Sequence, residues 1–125
     1  MSNDLFERRQ DERRYSLNFL DYEILSETGE VLGRGLARTL NVSETGLRLE
    51  TGLFFDPGQR LRITLSLKNN LVQVNGRVIN SQPENDDLCS SGILFLAFDN
   101  NDHDIYKKHL DALNNKRLNK SASSI

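Results

Sequence analysis

The chain has 125 residues, with 16 basic and 18 acidic side chains and a formal net charge of −2. This length predicts one domain that buries a core without a disulfide or a metal, and the lone cysteine, Cys89, has no partner for an internal bridge. The near-neutral balance argues against a non-specific binder of nucleic acid, which needs a strongly basic face. Because we find neither a leader segment nor an apolar run of membrane-spanning length, we expect a cytoplasmic protein without membrane insertion.

Six short segments of alternating apolar and polar residues follow an arginine-rich opening, and this period of two predicts β-strands. The clearest segment is 60–68, in which Leu61, Ile63 and Leu65 alternate with polar residues. Asn69-Asn70 predicts a tight connection to the following strand. The predicted strands cover residues 15–25, 31–40, 46–50, 60–68, 71–80 and 92–98.

One helix is predicted, over 102–118. Tyr106, Leu110 and Leu113 share one face at helical spacing, and the capping side chains of Asn101 and Asp102 precede them. Six strands with no helix between them favour a small closed barrel or a sandwich over an α/β layer fold.

The predicted organisation has three parts. A flexible arginine-rich arm covers 1–14, the β-fold with its C-terminal helix covers 15–118, and a disordered tail covers 119–125. The arm is dense in opposing charges and poor in apolar residues, which is the composition of a segment that does not fold by itself.

Enzymatic chemistry is not expected. His103 and His109 both lie in or beside the helix, and Cys89 lies in a segment that we interpret as a polar loop, so a Cys/His or Ser/His/Asp arrangement is hard to assemble. The two histidines also lack the spacing of a metal site, and the sequence contains no glycine-rich phosphate loop. We therefore expect a binding protein that has no metal or resident cofactor.

Arg9 and Arg13 form an Arg-x-x-x-Arg spacing. About one such pair is expected by chance in a chain of this arginine content, and Arg34 with Arg38 is a second instance. By itself the spacing is better explained as an exposed charged arm with internal Arg–Glu ion pairs.

Residues 41–46 fit the pattern Asp/Asn-x-Ser-x-x-Gly, which chance supplies only about 0.1 times in this composition. The structural interpretation is a polar turn in which Asn41 and Ser43 bond nearby backbone and Gly46 adopts a positive φ. A binding role is compatible with that turn.

In their order and context these motifs resemble a PilZ domain. Arg-x-x-x-Arg precedes the first strand, Asn-x-Ser-x-x-Gly leads into the third, and a Gly-Ile-Leu-Phe strand at 92–95 and a closing helix follow. The resemblance covers 7–113 and suggests a stand-alone, single-domain member of this family. It implies a six-stranded antiparallel β-barrel of PilZ type with a C-terminal helix, and a receptor for the bacterial second messenger cyclic di-GMP.

The resemblance also implies the ligand-binding residues. Arg9 and Arg13 grip the ligand from the arm, while Asn41, Ser43 and Gly46 line the barrel surface opposite. A guanidinium fork can bind phosphate oxygens or the O6/N7 edge of guanine. The Asn41 amide offers an oxygen to guanine N–H donors, as an aspartate would, but without the charge.

The arginine motif can be aligned in two registers. Arg13 has Arg9 at the required spacing, whereas Arg14 has Gln10 at that spacing, which would break the motif. We prefer Arg9 with Arg13, which places Arg8 directly before the motif. Family members with arginine there tend to bind two intercalated ligand molecules, so a ligand dimer is predicted.

Ligand binding is expected to order the arm, and the ordered arm signals to a protein partner that the sequence does not identify. We expect a monomer or a weak homodimer. The alternatives are a ligand-independent interaction adaptor and a small-barrel binder of single-stranded nucleic acid. The second would need exposed aromatic residues among basic ones, whereas the aromatic residues here are expected in the core or at its rim. They are Phe19, Tyr22, Phe54, Phe55, Phe95 and Phe98.

Overall fold

The computed structural model describes residues 19–67 and 70–123, with side chains for 20–67 and 70–115. Six strands and one helix follow one another along these residues. They are β1 (Phe19–Leu25), β2 (Val31–Val42), β3 (Gly46–Thr51), β4 (Arg60–Leu67), β5 (Asn70–Pro83), β6 (Cys89–Phe98) and α1 (Asp102–Ser123). All six predicted strands are confirmed, with differences at their ends, and positions 15–18 of the first and position 68 of the fourth lie outside the described residues.

The strands form one closed antiparallel barrel in the order β1-β2-β3-β6-β5-β4. β1 and β4 close it, with Leu20 opposite Leu65 and Leu25 opposite Arg60. Closure gives each of these strands a partner on both sides, which removes the exposed edges that an open sheet carries. The alternating sequence pattern did not distinguish a barrel from a sandwich. The pairing of β1 with β4 shows that the fold is a barrel.

The barrel interior is filled by the apolar positions of the alternating pattern. Leu61, Ile63 and Leu65 of β4 are fully buried, and burying each contributes about 1.5–3 kcal/mol. Gly76 of β5 also faces inward, where a Cβ would lie 2.5 Å from Ile93 Cγ2 of β6. This position has no side chain because the neighbouring strand fills the space.

Cys89 was expected in a polar loop, and this expectation is wrong. It is the first residue of β6, paired with Thr51 on one side and Pro83 on the other. The segment that follows contains Ser90 and Ser91, both buried, which hides the alternation that sequence reading depends on. Two neighbouring strands supply the backbone partners, so tertiary pairing makes this polar segment a strand.

The helix α1 begins at Asp102 as predicted and extends to Ser123, beyond the predicted end at Leu118. No glycine or proline follows Leu118 within the helix to end it earlier. The Asp102 carboxylate accepts a hydrogen bond from the Gln73 N–H of β5 at 2.8 Å, which attaches the start of the helix to the barrel. The division of the chain into arm, barrel and tail stays a prediction.

Two predicted turns contain the glycines that need a positive φ. Gly29 and Gly58 have φ of 89° and 94°, values that side chains disfavour. At the β4–β5 connection Leu67 pairs with Asn70, so the connecting residues are 68–69, one position earlier than predicted, and they lie outside the described residues.

The aromatic residues divide between core and surface. Phe55 is buried and packs edge-on against Tyr22 with ring centroids 5.4 Å apart, whereas Phe54 is 56% exposed. Phe95 and Phe98 are partly buried against the core, where they contact Tyr106 of α1. The helix therefore covers one end of the barrel through an aromatic cluster.

Candidate functional site

The Asn-x-Ser-x-x-Gly segment forms the turn between β2 and β3, at the barrel end that α1 covers. The Ser43 N–H donates to the Gly46 carbonyl at 2.8 Å, and the Ser43 hydroxyl donates to the same oxygen at 3.1 Å. The structural role expected for Ser43 is therefore confirmed, because its side chain helps to close the turn. Its hydroxyl oxygen keeps lone pairs that can accept a bond from a ligand.

Gly46 is required by close packing and not by its backbone conformation. The positive φ expected for it is wrong, because among the described glycines only Gly29 and Gly58 adopt one. A Cβ at Gly46 would collide with the Ile93 carbonyl oxygen of β6, a backbone atom that cannot move aside. Gly46 therefore lets β6 approach the first residue of β3.

Asn41 lies near the end of β2 and is exposed on the outer surface of the barrel. Its partner across the ladder is Arg48 of β3. Among the described residues the Asn41 side chain makes no hydrogen bond. Its amide is therefore available to a ligand, and the backbone bond expected for its side chain is not made.

Arg48 is the residue beside the motif that sequence reasoning missed. Its Nε and Nη2 donate to the Ser90 hydroxyl at 3.3 and 3.0 Å, and its Nη1 donates to Asn80 Oδ1 at 3.1 Å. The alternation of β3 would have placed Arg48 on the outer face. Its partners are 32 and 42 residues further along the chain, so only the folded barrel shows that the guanidinium is held in place.

The Arg48 side chain lies along the barrel surface over Gly92. Arg48 and Asn80 flank Gly92 on the neighbouring strands. A Cβ at Gly92 would lie 3.3 Å from Arg48 Nη1 and 3.2 Å from Asn80 Oδ1. Because glycine leaves this space open, the guanidinium lies over β6, on the side of β3 away from Asn41.

The motif turn is also fastened to β6 and to the helix. The Phe95 N–H donates to the Thr45 carbonyl at 2.9 Å, and the Tyr106 hydroxyl donates to the Ser43 carbonyl at 2.6 Å. Burial raises the pKa of the Tyr106 hydroxyl above its usual range, so it stays a donor. A cleft of about 290 Å³ lies between the turn and the helix, and Ser43 and Lys107 contribute to its walls.

Arg8, Arg9 and Arg13 lie outside the described residues, but the point at which the chain enters the barrel is known. Phe19 pairs with Arg38 of β2, and Asn41 is three residues further along β2, roughly 10 Å away. Phe19 is six positions after Arg13, and six steps of the chain span at most roughly 20 Å. The motif turn is therefore within reach of Arg13.

Two other kinds of site are absent from the part of the chain that the structure describes. No cluster of three or more His, Cys, Asp or Glu side chains is arranged to hold a metal ion. No helix there is both long enough and apolar enough to cross a membrane.

The sequence matches the PilZ domain family over residues 7–114, and the chain belongs to that family. PilZ domains form a family of cyclic di-GMP receptors and adaptors, typically without catalytic activity. The match covers most of the chain, so the family resemblance of the motifs is confirmed. No curated protein matches the chain.

Two solved structures share the fold. The Bacillus subtilis inhibitor of motility MotI/DgrA has a TM-score of 0.60 at 18% identity, over 82% of this chain and 48% of its own. A Xanthomonas campestris protein, described as a tetrameric PilZ domain self-assembled via a helical bundle, has a TM-score of 0.52 at 19% identity, over 74% of this chain and 54% of its own. The chain thus spans about half the length of these relatives.

Proposed function

We propose that this chain is a cyclic di-GMP receptor that binds its ligand between the N-terminal arm and the outer surface of the barrel at the β2–β3 turn. The observation that carries the proposal is the exposed amide of Asn41, which makes no hydrogen bond among the described residues and lies opposite Arg48, whose guanidinium is held in place on the same outer surface over β6. A site of this kind is preorganised, because the turn beneath it is held by β6 and α1 before any ligand arrives.

The residues present suit the chemistry of the ligand. Cyclic di-GMP carries two phosphates and two guanines, and the Asn41 oxygen is free to accept from guanine N–H groups. Arg48 uses three of its five N–H donors within the barrel, so one on each terminal nitrogen is left for a phosphate or a guanine edge. Arg9 and Arg13 supply the remaining positive charge from the arm.

The arm is the proposed switch. It enters the barrel at the motif end, and ligand phosphates held by Arg9 and Arg13 order it against the barrel surface. A protein partner then meets a surface that differs between the free and the bound states. The Tyr106 bond to the Ser43 carbonyl is a second route, through which the same turn influences α1.

A titration with cyclic di-GMP, followed by calorimetry, tests the proposal. We expect wild type to bind, and Arg9→Ala or Arg13→Ala to abolish binding while the free energy of unfolding changes by no more than about 0.5 kcal/mol. Arg34→Ala is the matched control, because Arg34 is exposed, forms an ion pair with Glu23 and lies away from the motif. Retained affinity in both arm variants would refute the arm's role.

The same titration reports the stoichiometry. With Arg8 before the motif, we propose two intercalated ligand molecules per chain. One molecule per chain at saturation would contradict this part of the proposal and leave the receptor function intact.

A ligand-independent adaptor is the second candidate, and one observation favours it. Ser43 closes the turn and Gly46 makes room for β6, so both residues have structural roles that need no ligand. If wild type does not bind cyclic di-GMP, this function replaces the receptor.

For the oligomeric state we propose a monomer or a weak dimer. The final part of α1, over 114–123, contains only Leu118 and Ala122 as apolar residues, too few for the core of a helical bundle. A tetramer by light scattering would contradict this.

A further inference from the structure

Two arginines on the outer face of the barrel lie side by side without a partner. Arg60 of β4 and Arg77 of β5 are directly opposite each other in the ladder, and like charges in that position destabilise a sheet. Their chain neighbours Leu61 and Val78 are buried in the core, so both arginines point outward. Neither side chain bonds to an acidic or polar group among the described residues. The other arginines whose side chains are described each have such a partner: Arg34, Arg38, Arg48 and Arg62.

An apolar band runs beside this pair on β5 and β6. Leu94 of β6 lies opposite Arg77 and is 42% exposed, whereas Ile79 and Leu96 are 52% and 42% exposed. Because β5 and β6 are antiparallel, Ile79 lies on one side of Leu94 and Leu96 on the other. At about 3.3 Å per residue, the band is roughly 13 Å long. We call Ile79, Leu94 and Leu96, together with Arg60 and Arg77, the outer patch.

Two β-bulges shape the apolar band. The pairing of β5 with β6 shifts register twice, once at Ile79 and once at Leu96, and neither residue has a partner across this ladder. Ile79 and Asn80 are both exposed, as are Leu96 and Ala97, where a regular strand would alternate. Bulges redirect side chains and are frequent beside functional sites. Here they turn apolar side chains toward the outer surface.

The outer patch adjoins the ligand motif. Leu94 pairs with Gly46 across the ladder between β3 and β6. The next residue, Phe95, donates its N–H to the Thr45 carbonyl at 2.9 Å. The arginine pair therefore lies on one flank of the apolar band and the β2–β3 turn on the other. A protein seated on the band would contact the turn as well.

Charge favours an acidic partner at this patch. The strands β4, β5 and β6 contain three arginines and no acidic residue. The Arg62 guanidinium pairs with Asp99 at 2.9 Å, which leaves Arg60 and Arg77. A basic partner would add a further like charge to that pair, whereas a carboxylate placed above it offsets the repulsion.

We propose that the outer patch is a docking surface for a partner protein that presents an acidic amphipathic helix. Apolar side chains of the helix cover Ile79, Leu94 and Leu96, and one of its carboxylates binds between Arg60 and Arg77. The inference rests on the proposed function for the existence of a partner, and it names the surface that this partner meets.

The geometry of the patch suits a helix of this kind. Cβ atoms directly opposite each other across a ladder are about 5 Å apart, so a single carboxylate can accept from both guanidinium groups. A band of roughly 13 Å matches about nine residues of helix, over which apolar residues at i, i+4 and i+7 share one face. A partner strand fits less well, because β5 and β6 have neighbours on both sides in the closed barrel and offer no free edge.

A synthetic probe tests the inference on the full chain. The probe is a fluorescein-labelled helical peptide of about three turns, with leucine at i, i+4 and i+7 and glutamate at the flanking positions. Fluorescence anisotropy measures its binding without cyclic di-GMP. We expect it to bind about tenfold more tightly than the same peptide with lysine in place of glutamate. Absence of binding by the glutamate peptide, or equal binding of the two peptides, would overturn the inference.

Two double variants locate the binding on the outer patch. Arg60→Glu/Arg77→Glu should bind the glutamate peptide about tenfold more weakly and should prefer the lysine peptide instead. It replaces one pair of like charges by another, so the fold is expected to be as stable as wild type in urea. Leu94→Ser/Leu96→Ser should weaken binding of the glutamate peptide about tenfold. Wild-type affinity in both variants would overturn the inference.

Matched controls make the same changes elsewhere. Arg34→Glu/Lys108→Glu reverses two exposed charges on β2 and α1. Leu53→Ser/Phe54→Ser removes an apolar pair of similar exposure, 50% and 56%, from the loop between β3 and β4. Both should bind the glutamate peptide within about twofold of wild type, and an equal loss in the controls and in the patch variants would overturn the inference.

The inference and the proposed function fail separately. Because the peptide titration contains no cyclic di-GMP, its outcome does not depend on ligand binding, and absence of ligand binding by wild type would refute the receptor function alone. Sedimentation velocity of the chain without peptide examines a second occupant. A dimer of wild type that Leu94→Ser/Leu96→Ser disperses would show that a second copy covers the patch, and this would overturn the inference of an acidic partner.

Discussion

The β2–β3 turn and the cross-strand pair of Arg60 in β4 and Arg77 in β5 differ in how their polar groups are satisfied. The turn is held by hydrogen bonds from Ser43, from Phe95 and from Tyr106, so its shape does not depend on a ligand. Arg60 and Arg77 lie opposite each other with no acid or polar partner among the described residues. The comparison separates a turn that internal hydrogen bonds hold in place from a pair of like charges that no described side chain neutralises.

The strongest way to break the turn is to fill the space at Gly46. We expect Gly46→Ala to destabilise the fold by about 3 kcal/mol or to prevent folding, because its methyl group meets the Ile93 carbonyl of the backbone. Urea unfolding measures the loss. The control is Gly33→Ala, whose Cβ would lie 3.6 Å from Ile24 Cδ1, an ordinary contact; an equal loss in both variants would contradict the explanation.

A smaller loss is expected where the turn meets the helix. Tyr106→Phe removes the donor to the Ser43 carbonyl and keeps the ring contacts with Phe95 and Phe98. The free energy of unfolding should fall by about 1–2 kcal/mol, because a partly buried carbonyl loses its partner. If thermal unfolding and the amide chemical shifts of the turn both stay unchanged, the turn is not fastened by this bond.

Substitution of Asn41 tests whether its amide accepts hydrogen bonds from the ligand, with little effect on the stability of the fold. Asn41→Ala should weaken cyclic di-GMP binding about tenfold and leave unfolding within about 0.5 kcal/mol, since the amide makes no described bond. Asn41→Asp should strengthen binding a few-fold, because a carboxylate accepts a stronger bond from guanine N–H groups than an amide does. Calorimetry measures both, and weaker binding by the aspartate variant would show that Asn41 does not accept from guanine.

The smallest effect concerns the pair of Arg60 and Arg77 in the protein without ligand. Arg77→Glu turns a repulsive cross-strand pair into an attractive one, and we expect it to raise the free energy of unfolding by about 0.5 kcal/mol. Arg34→Glu, which places two acids opposite each other at Glu23, should lower it by a similar amount. Equal effects of the two reversals would mean that the partners of these arginines do not decide their contribution.

Sequence reasoning succeeded where a pattern is local. The alternation of β4 and the turn glycines Gly29 and Gly58 appear in the structure as predicted. It failed at Cys89, because a serine-rich strand has no alternation to read. It also missed Arg48, whose role depends on Asn80 and Ser90 on two other strands.

By itself the sequence determined the number of strands, the final helix and the motif that forms the β2–β3 turn. Each of these features depends on residues that are close together in the chain. Only the tertiary structure decided that β1 pairs with β4 to close a barrel, and that Gly46 is glycine because a carbonyl of β6 lies against it. It alone aligned Arg60 with Arg77 beside an apolar surface. Contacts of this kind join residues that are distant in the chain, and their partners are known only once the strands have paired.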